Sequence, residues 1–256
     1  MATVLSGTSG ALYYKPAGTK ATFGESAVDV ADDEITVDTY LNFKVGDPVQ
    51  FSVVNINTGA AGSGTLPAGL SAATTYYVIA YTASTGVLQV SATAGGSTVA
   101  ITDDGTAVTP NAFQVAYADY AAVGQVREWS FEITREEIDV TTIGQTLGQH
   151  APFKTYITGF ADGEGSASIY ITDDSGDLAS RLIQDVLQRQ QVGAGFKLYI
   201  DRVSSGGSVS ESLSRSIAME AVLTSASFTV NPDDAQMVEI AFRPSSAPTF
   251  DFSESA

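Results

Sequence analysis

The chain has 256 residues, with 12 Lys plus Arg against 29 Asp plus Glu, a formal net charge of -17 and an isoelectric point near 4.1. That balance repels polyphosphates and acidic lipid surfaces, and so excludes binding roles that need a basic patch. Cysteine is absent and His150 is the single histidine, which excludes disulfides, thiolate metal sites, histidine-based triads and multi-histidine metal centres.

The opening MATVLSGTSG has no charged start and no long apolar run, so it does not read as a signal peptide. No stretch approaches the ~18 apolar residues of a membrane helix, and no membrane association is expected. Residues 1–24 carry one short apolar run, ALYY, followed by KPAGTKATFG. They read as an arm, a short strand and a turn.

Residues 25–112 change texture. VDVADDEITV, DPVQFSVV, TYYVIAY, GVLQVSA and STVAIT are short runs rich in Val, Ile, Tyr and Thr, separated by Gly, Asp and Pro. TGAAGSGTLPAGL and TAGGS are turn material. Nine acids and one base, Lys44, fall in this stretch, so about half of the net charge sits there. It predicts a small inserted all-β domain.

After residue 112 a longer pattern begins. In VREWSFEIT, Trp129, Phe131 and Ile133 alternate with Glu128, Ser130, Glu132 and Thr134, the period of a strand with one buried face. Further strands are expected at 165–172, 196–200, 216–230 and 236–243, the last with Val238, Ile240 and Phe242 inward. Between the first two lies EITREEIDVTTIGQTLGQHAPF. From Val140 to Phe153 it has no formally charged side chain, and loops this long inside a compact domain are usually functional or mobile. One amphipathic helix is predicted at about 176–190, with Leu178, Leu182, Ile183, Val186 and Leu187 on one stripe. Asp174 or Ser175 can cap it, Gly193 ends it, and Asp177–Arg181 and Asp185–Arg189 are spaced as acid-first surface pairs.

Signatures of catalysis are missing. No phosphate-cradling glycine loop, dinucleotide fingerprint or G-x-S-x-G elbow occurs. DDSGD and TDDGT lack the ligand spacing of a calcium loop, so turns are expected there and no metal or cofactor. A glycosidase needs only two carboxylates, but a single Trp does not advertise a sugar-stacking cleft. The chain is expected not to be an enzyme.

The order of VGQVREWSFEITREEIDVTTIGQ, KTYITGFADGEGSASIYITDD, a helix, FKLYI and the small-residue strand AVLTSASFTV resembles the major tail tube proteins of long-tailed bacteriophages. The resemblance covers roughly 1–24 and 113–256, which it makes one discontinuous tail tube domain. Residues 25–112 depart from it and look like a small β-module seen in other phage structural proteins. The resemblance implies a β-sandwich or half-barrel with a flanking α-helix. It further implies hexameric rings stacked into a hollow tube in the virion tail, assembled in the host cytoplasm. Double-stranded DNA would pass through without specific binding. Tail terminator, tail tip and tape-measure proteins would be its partners. The uncharged loop would reach neighbouring subunits through Ile143, Gln145, Leu147, Gln149, His150 and Phe153. Polar strand faces would bring Glu128, Glu132, Glu164, Glu220 and Glu239 to an acidic lumen. A phage fibre or decoration β-sandwich that binds a partner is the alternative.

Overall fold

A computed structural model describes residues 9–124, 126–141, 154–170, 177–205, 208–229 and 236–252. In chain order the strands are β1 (Ala11–Lys15), β2 (Lys20–Phe23), β3 (Val28–Asp29), β4 (Glu34–Thr36), β5 (Pro48–Asn55), β6 (Tyr76–Thr82), β7 (Val87–Ser91), β8 (Asn111–Tyr117), β9 (Ala121–Ala122), β10 (Val126–Asp139) and β11 (Tyr156–Tyr170). Helix α1 (Asp177–Asp185) follows, then β12 (Gly195–Asp201), β13 (Ser204–Ser205), β14 (Ser208–Val209), β15 (Arg215–Thr229), β16 (Met237–Pro244) and β17 (Thr249–Asp251). The architecture is mainly β with one α-helix among the described residues, as the sequence pattern predicts.

An eight-stranded sheet runs β10-β11-β16-β15-β12-β1-β9, with β17 also on β15. The long strand β15 joins its halves. Arg215–Glu220 pairs with β12, and Ala221–Thr229 pairs with β16. The two halves bury one common core, in which Phe242 of β16 stacks on Phe196 of β12 at 4.2 Å and Tyr14 of β1 lies 4.9 Å from Phe196. Fully burying a side chain of that size stabilises by about 1.5–3 kcal/mol. The alternation read in the sequence is realised here: Val238, Ile240 and Phe242 are buried, while Glu239 is exposed.

A seven-stranded sheet, β2-β8-β5-β6-β7-β4-β3, closes over a second core that includes Phe23, Phe51, Phe113, Val49 and Leu88. This sheet begins at Lys20 and ends at Tyr117, a few residues outside 25–112 on both sides. Four residues, Pro16 to Thr19, carry the chain from β1 to β2, and all four are buried.

Helix α1 is shorter than the expected 176–190. After Asp185 the backbone tightens into turns, with Leu187 N–H on Gln184 O at 2.9 Å and Gln188 N–H on Asp185 O at 3.1 Å. Leu182 is buried, but Leu187 leaves the stripe and is 88% exposed. The proposed caps Asp174 and Ser175 lie outside the described residues.

Two of the helix's charged residues also depart from expectation. Arg181 is 3% exposed; its Nη1 meets Asp47 Oδ1 of the seven-stranded sheet's side at 2.5 Å, and its Nη2 donates to Asn42 O. Asp185 is fully buried, accepting from Tyr14 Oη (2.9 Å), Ala17 N (2.9 Å) and Asn42 Nδ2 (2.5 Å). Their i,i+4 spacing suits a wet helix face, but loop Leu41–Asp47 covers that face.

Burial pushes the Asp185 carboxyl above the usual carboxylate range, opposed by hydrogen bonds from Ala17 and Tyr14, the Arg181 charge and the Asn42 bond. The folded chain therefore holds this proton more tightly than the unfolded chain. The contribution is full below the unfolded value of about 3.9 and is lost as pH rises through the raised folded value. Urea denaturation should show the stability advantage of the wild type over Asp185→Asn shrinking as pH rises from 4 towards neutrality.

Candidate functional site

The open face of the large sheet gathers carboxylates. β10 runs antiparallel to β11, with Glu132 directly opposite Glu164, and with Glu128 opposite Ser168, which in turn pairs with Glu239 of β16. Alternation puts Trp129, Phe131, Ala167 and Ile240 on the core side and these acids on the solvent side. Neighbouring strands are about 4.8 Å apart, so Glu128 and Glu239, two strands apart, stand about 10 Å from each other. Like charges directly opposite each other destabilise a sheet, so the Glu132–Glu164 pair costs the isolated subunit stability. Arg243 answers it in part, with Nη2 at 3.5 Å from Glu164 and Nη1 at 3.4 Å from Asp162. These contacts are exposed and contribute little.

Glu220 stands apart from the other four. It lies opposite Gly195 of β12 and forms an ion pair with Lys20 at 2.5 Å. Ile143, Gln145, Leu147, Gln149, His150 and Phe153 lie outside the described residues.

The flanks of that loop extend further as strand than the alternation suggests. β11 starts at Tyr156, and β16 pairs with it only from Gly165 to Tyr170. Among the described residues, β10 is the only strand paired with β11 from Tyr156 to Glu164, and the two form a hairpin arm whose base at Asp162 and Glu164 is met by Arg243. A bulge sits where Glu136 faces Gly159 and Phe160, between the pairs Arg135–Ala161 and Glu137–Thr158. Beyond it Ile138 faces Ile157. Both are exposed, as are Tyr156 and Val140, and Phe160 is 87% exposed. At the arm's base a groove of about 360 Å³ is lined by Ile133, Ala161, Gly163, Pro244 and Pro248 among others. Clustered apolar side chains in water mark an interaction site more often than isolated ones do.

β10 is also the edge of its sheet. Along its 14 residues, no strand among those described pairs with its outer side. An exposed edge of this length is a template for another chain. Sequence reading missed Ile138, Ile157 and Phe160, because the ITGF segment carries no regular alternation.

No protein-family profile matches the chain, and no curated protein matches it. Solved structures do show similarity. A chain of the virion of a native gene transfer agent particle matches with TM-score 0.39 and 16% identity, over 52% of this chain and 88% of that one. A chain of the tail of an empty gene transfer agent particle, refined with helical methods in C6 symmetry, matches with TM-score 0.38 and 15% identity, over 52% of this chain and 86% of that one.

Proposed function

We propose that the chain is the repeated structural subunit of a bacteriophage tail tube. In this reading six copies close into a ring, and rings stack around a bore that passes double-stranded DNA. The carrying observation is one open sheet face bearing Glu128, Glu132, Glu164 and Glu239, bounded by the 14-residue strand β10, whose outer side pairs with no described strand. Ring closure removes such edges, since each meets a neighbour's. An acidic inner wall repels DNA phosphates within a Debye length of about 10 Å, keeping the duplex centred and unbound. A basic wall would hold it through counterion release.

The arm and the uncharged stretch at its end supply the contacts between copies. Burying neutral Thr, Gln and Gly side chains avoids the several kcal/mol that an unpaired ion costs on desolvation. The eight-stranded sheet forms the wall in this scheme, and the seven-stranded sheet, Lys20–Tyr117, points outward, because six such modules would crowd the bore. Tail terminator, tail tip and tape-measure proteins are the expected partners, and the virion tail the location.

Negative-stain microscopy of the purified chain tests the assembly. Rings or tubes are expected, whereas a protein that stays monomeric at all concentrations refutes the reading and favours a decoration module. Lysine at Glu128, Glu132, Glu164 and Glu239 together should spare assembly and lower DNA delivery by particles built from it. Unchanged delivery would remove the acidic-lumen part.

A further inference from the structure

We propose that loop Leu41–Asp47 and helix α1 form a clasp that locks two separately stable sheets in one orientation, making the inserted sheet a rigid spur and not a hinged appendage. The clasp does not depend on what the chain assembles into. Passages between units that move against each other are exposed and make few contacts. Here Pro16, Ala17, Gly18 and Thr19 are all buried. Their polar groups are matched across the junction: Ala17 N–H reaches Asp185 Oδ2 at 2.9 Å, Ala17 O accepts from Asn42 Nδ2 at 3.1 Å, and Gly18 O accepts from Asn42 N at 2.8 Å.

Asn42 is the hub. Its backbone N–H, backbone carbonyl and side-chain amide are all engaged, with Gly18, Arg181, Ala17 and Asp185. Asp47 is held from both sides, Oδ1 by Arg181 and Oδ2 by the Lys44 N–H at 2.9 Å. A buried guanidinium separated from its carboxylate is strongly disfavoured, so any other orientation of the sheets must first bring water to Arg181 and Asp185.

Packing closes the remaining freedom. Gly18 has φ +69°, and a Cβ there would lie 2.9 Å from Gln190 O and 3.1 Å from Asn42 Cβ. The chain after the helix, the passage and the loop thus converge on a point with no room for a methyl group.

Amide hydrogen exchange and small-angle scattering on the full chain test the clasp. In the double variant Asn42→Ala, Asp47→Ala, exchange at Ala17 should rise at least tenfold and the scattering profile should broaden. Phe51 in β5 and Leu198 in β12 should keep their protection, since each lies inside its own sheet. The milder Asp47→Asn should move Ala17 in the same direction by a smaller factor. Unchanged exchange at Ala17 with an unchanged profile would overturn the proposal. So would loss of protection at Phe51 and Leu198 together in both variants, because the junction would then be part of a single cooperative core.

Discussion

Gly165→Val should abolish the native state of the large sheet. Gly165 sits in β11 between Phe131 of β10 and Phe242 of β16, and a Cβ placed on it would lie 2.3 Å from Phe242 Cζ and 2.4 Å from Cε2. Phe242 has no room to retreat: it is fully buried and stacked 4.2 Å from Phe196. Overpacking a close-packed core costs about 1–3 kcal/mol for modest insertions, and Gly165→Ala should fall in that range. Valine adds two more methyl groups at the same contact, and domains of this kind have only about 5–15 kcal/mol in total. Gly24→Ala is the control, because nothing lies within 4 Å of a Cβ there. Thermal denaturation should rank the three, with Gly24→Ala near wild type.

Serine at Ile138, Ile157 and Phe160 together should leave the subunit's melting temperature almost unchanged and abolish the assembly into rings and tubes proposed for it. All three side chains are exposed, so they contribute little to the subunit's own core. Substitutions at such sites usually stay within about 0.5 kcal/mol each. As the apolar anchors of the proposed contact between copies, the same residues would act as hot spots, the minority of interface positions whose truncation costs about 2 kcal/mol or more, repeated at every contact. Sedimentation velocity should show a shift from large assemblies to monomer. Persistence of wild-type assemblies would show that the arm is not a contact.

The strands with one covered face were legible because a period of two announces itself. Trp129 and Phe131 in β10, and Val238, Ile240 and Phe242 in β16, alternate with polar neighbours because one side meets the core and the other water. The arm gave no such signal, because its apolar side chains Ile138, Ile157 and Phe160 are exposed among the described residues. Arg181 and Asp185 misled for a different reason. Acid and base four apart describe a solvated helix face well, and nothing local reveals that residues 41–47 will cover it. Glu220 followed the same logic: its partner Lys20 is 200 positions away, and only the folded chain brings them to 2.5 Å. The four residues of β2 follow a turn with no compositional break, so their membership of the other sheet was not visible either.

The two sheets also differ in when they can be finished on the ribosome. Every strand of the seven-stranded sheet lies between Lys20 and Tyr117, so that sheet has all its pieces before β10 has emerged. β1 precedes it, yet pairs along its full length only with β12, where Ala11 meets Tyr199 and Lys15 meets Gly195. Nascent chains grow at roughly 5–20 residues per second, so β1 waits some ten seconds or more with its principal ladder unmade. Over that interval the completed insert stands beside β1 through the Pro16–Thr19 passage, and the last major strands close onto a partner left in place since the start of synthesis.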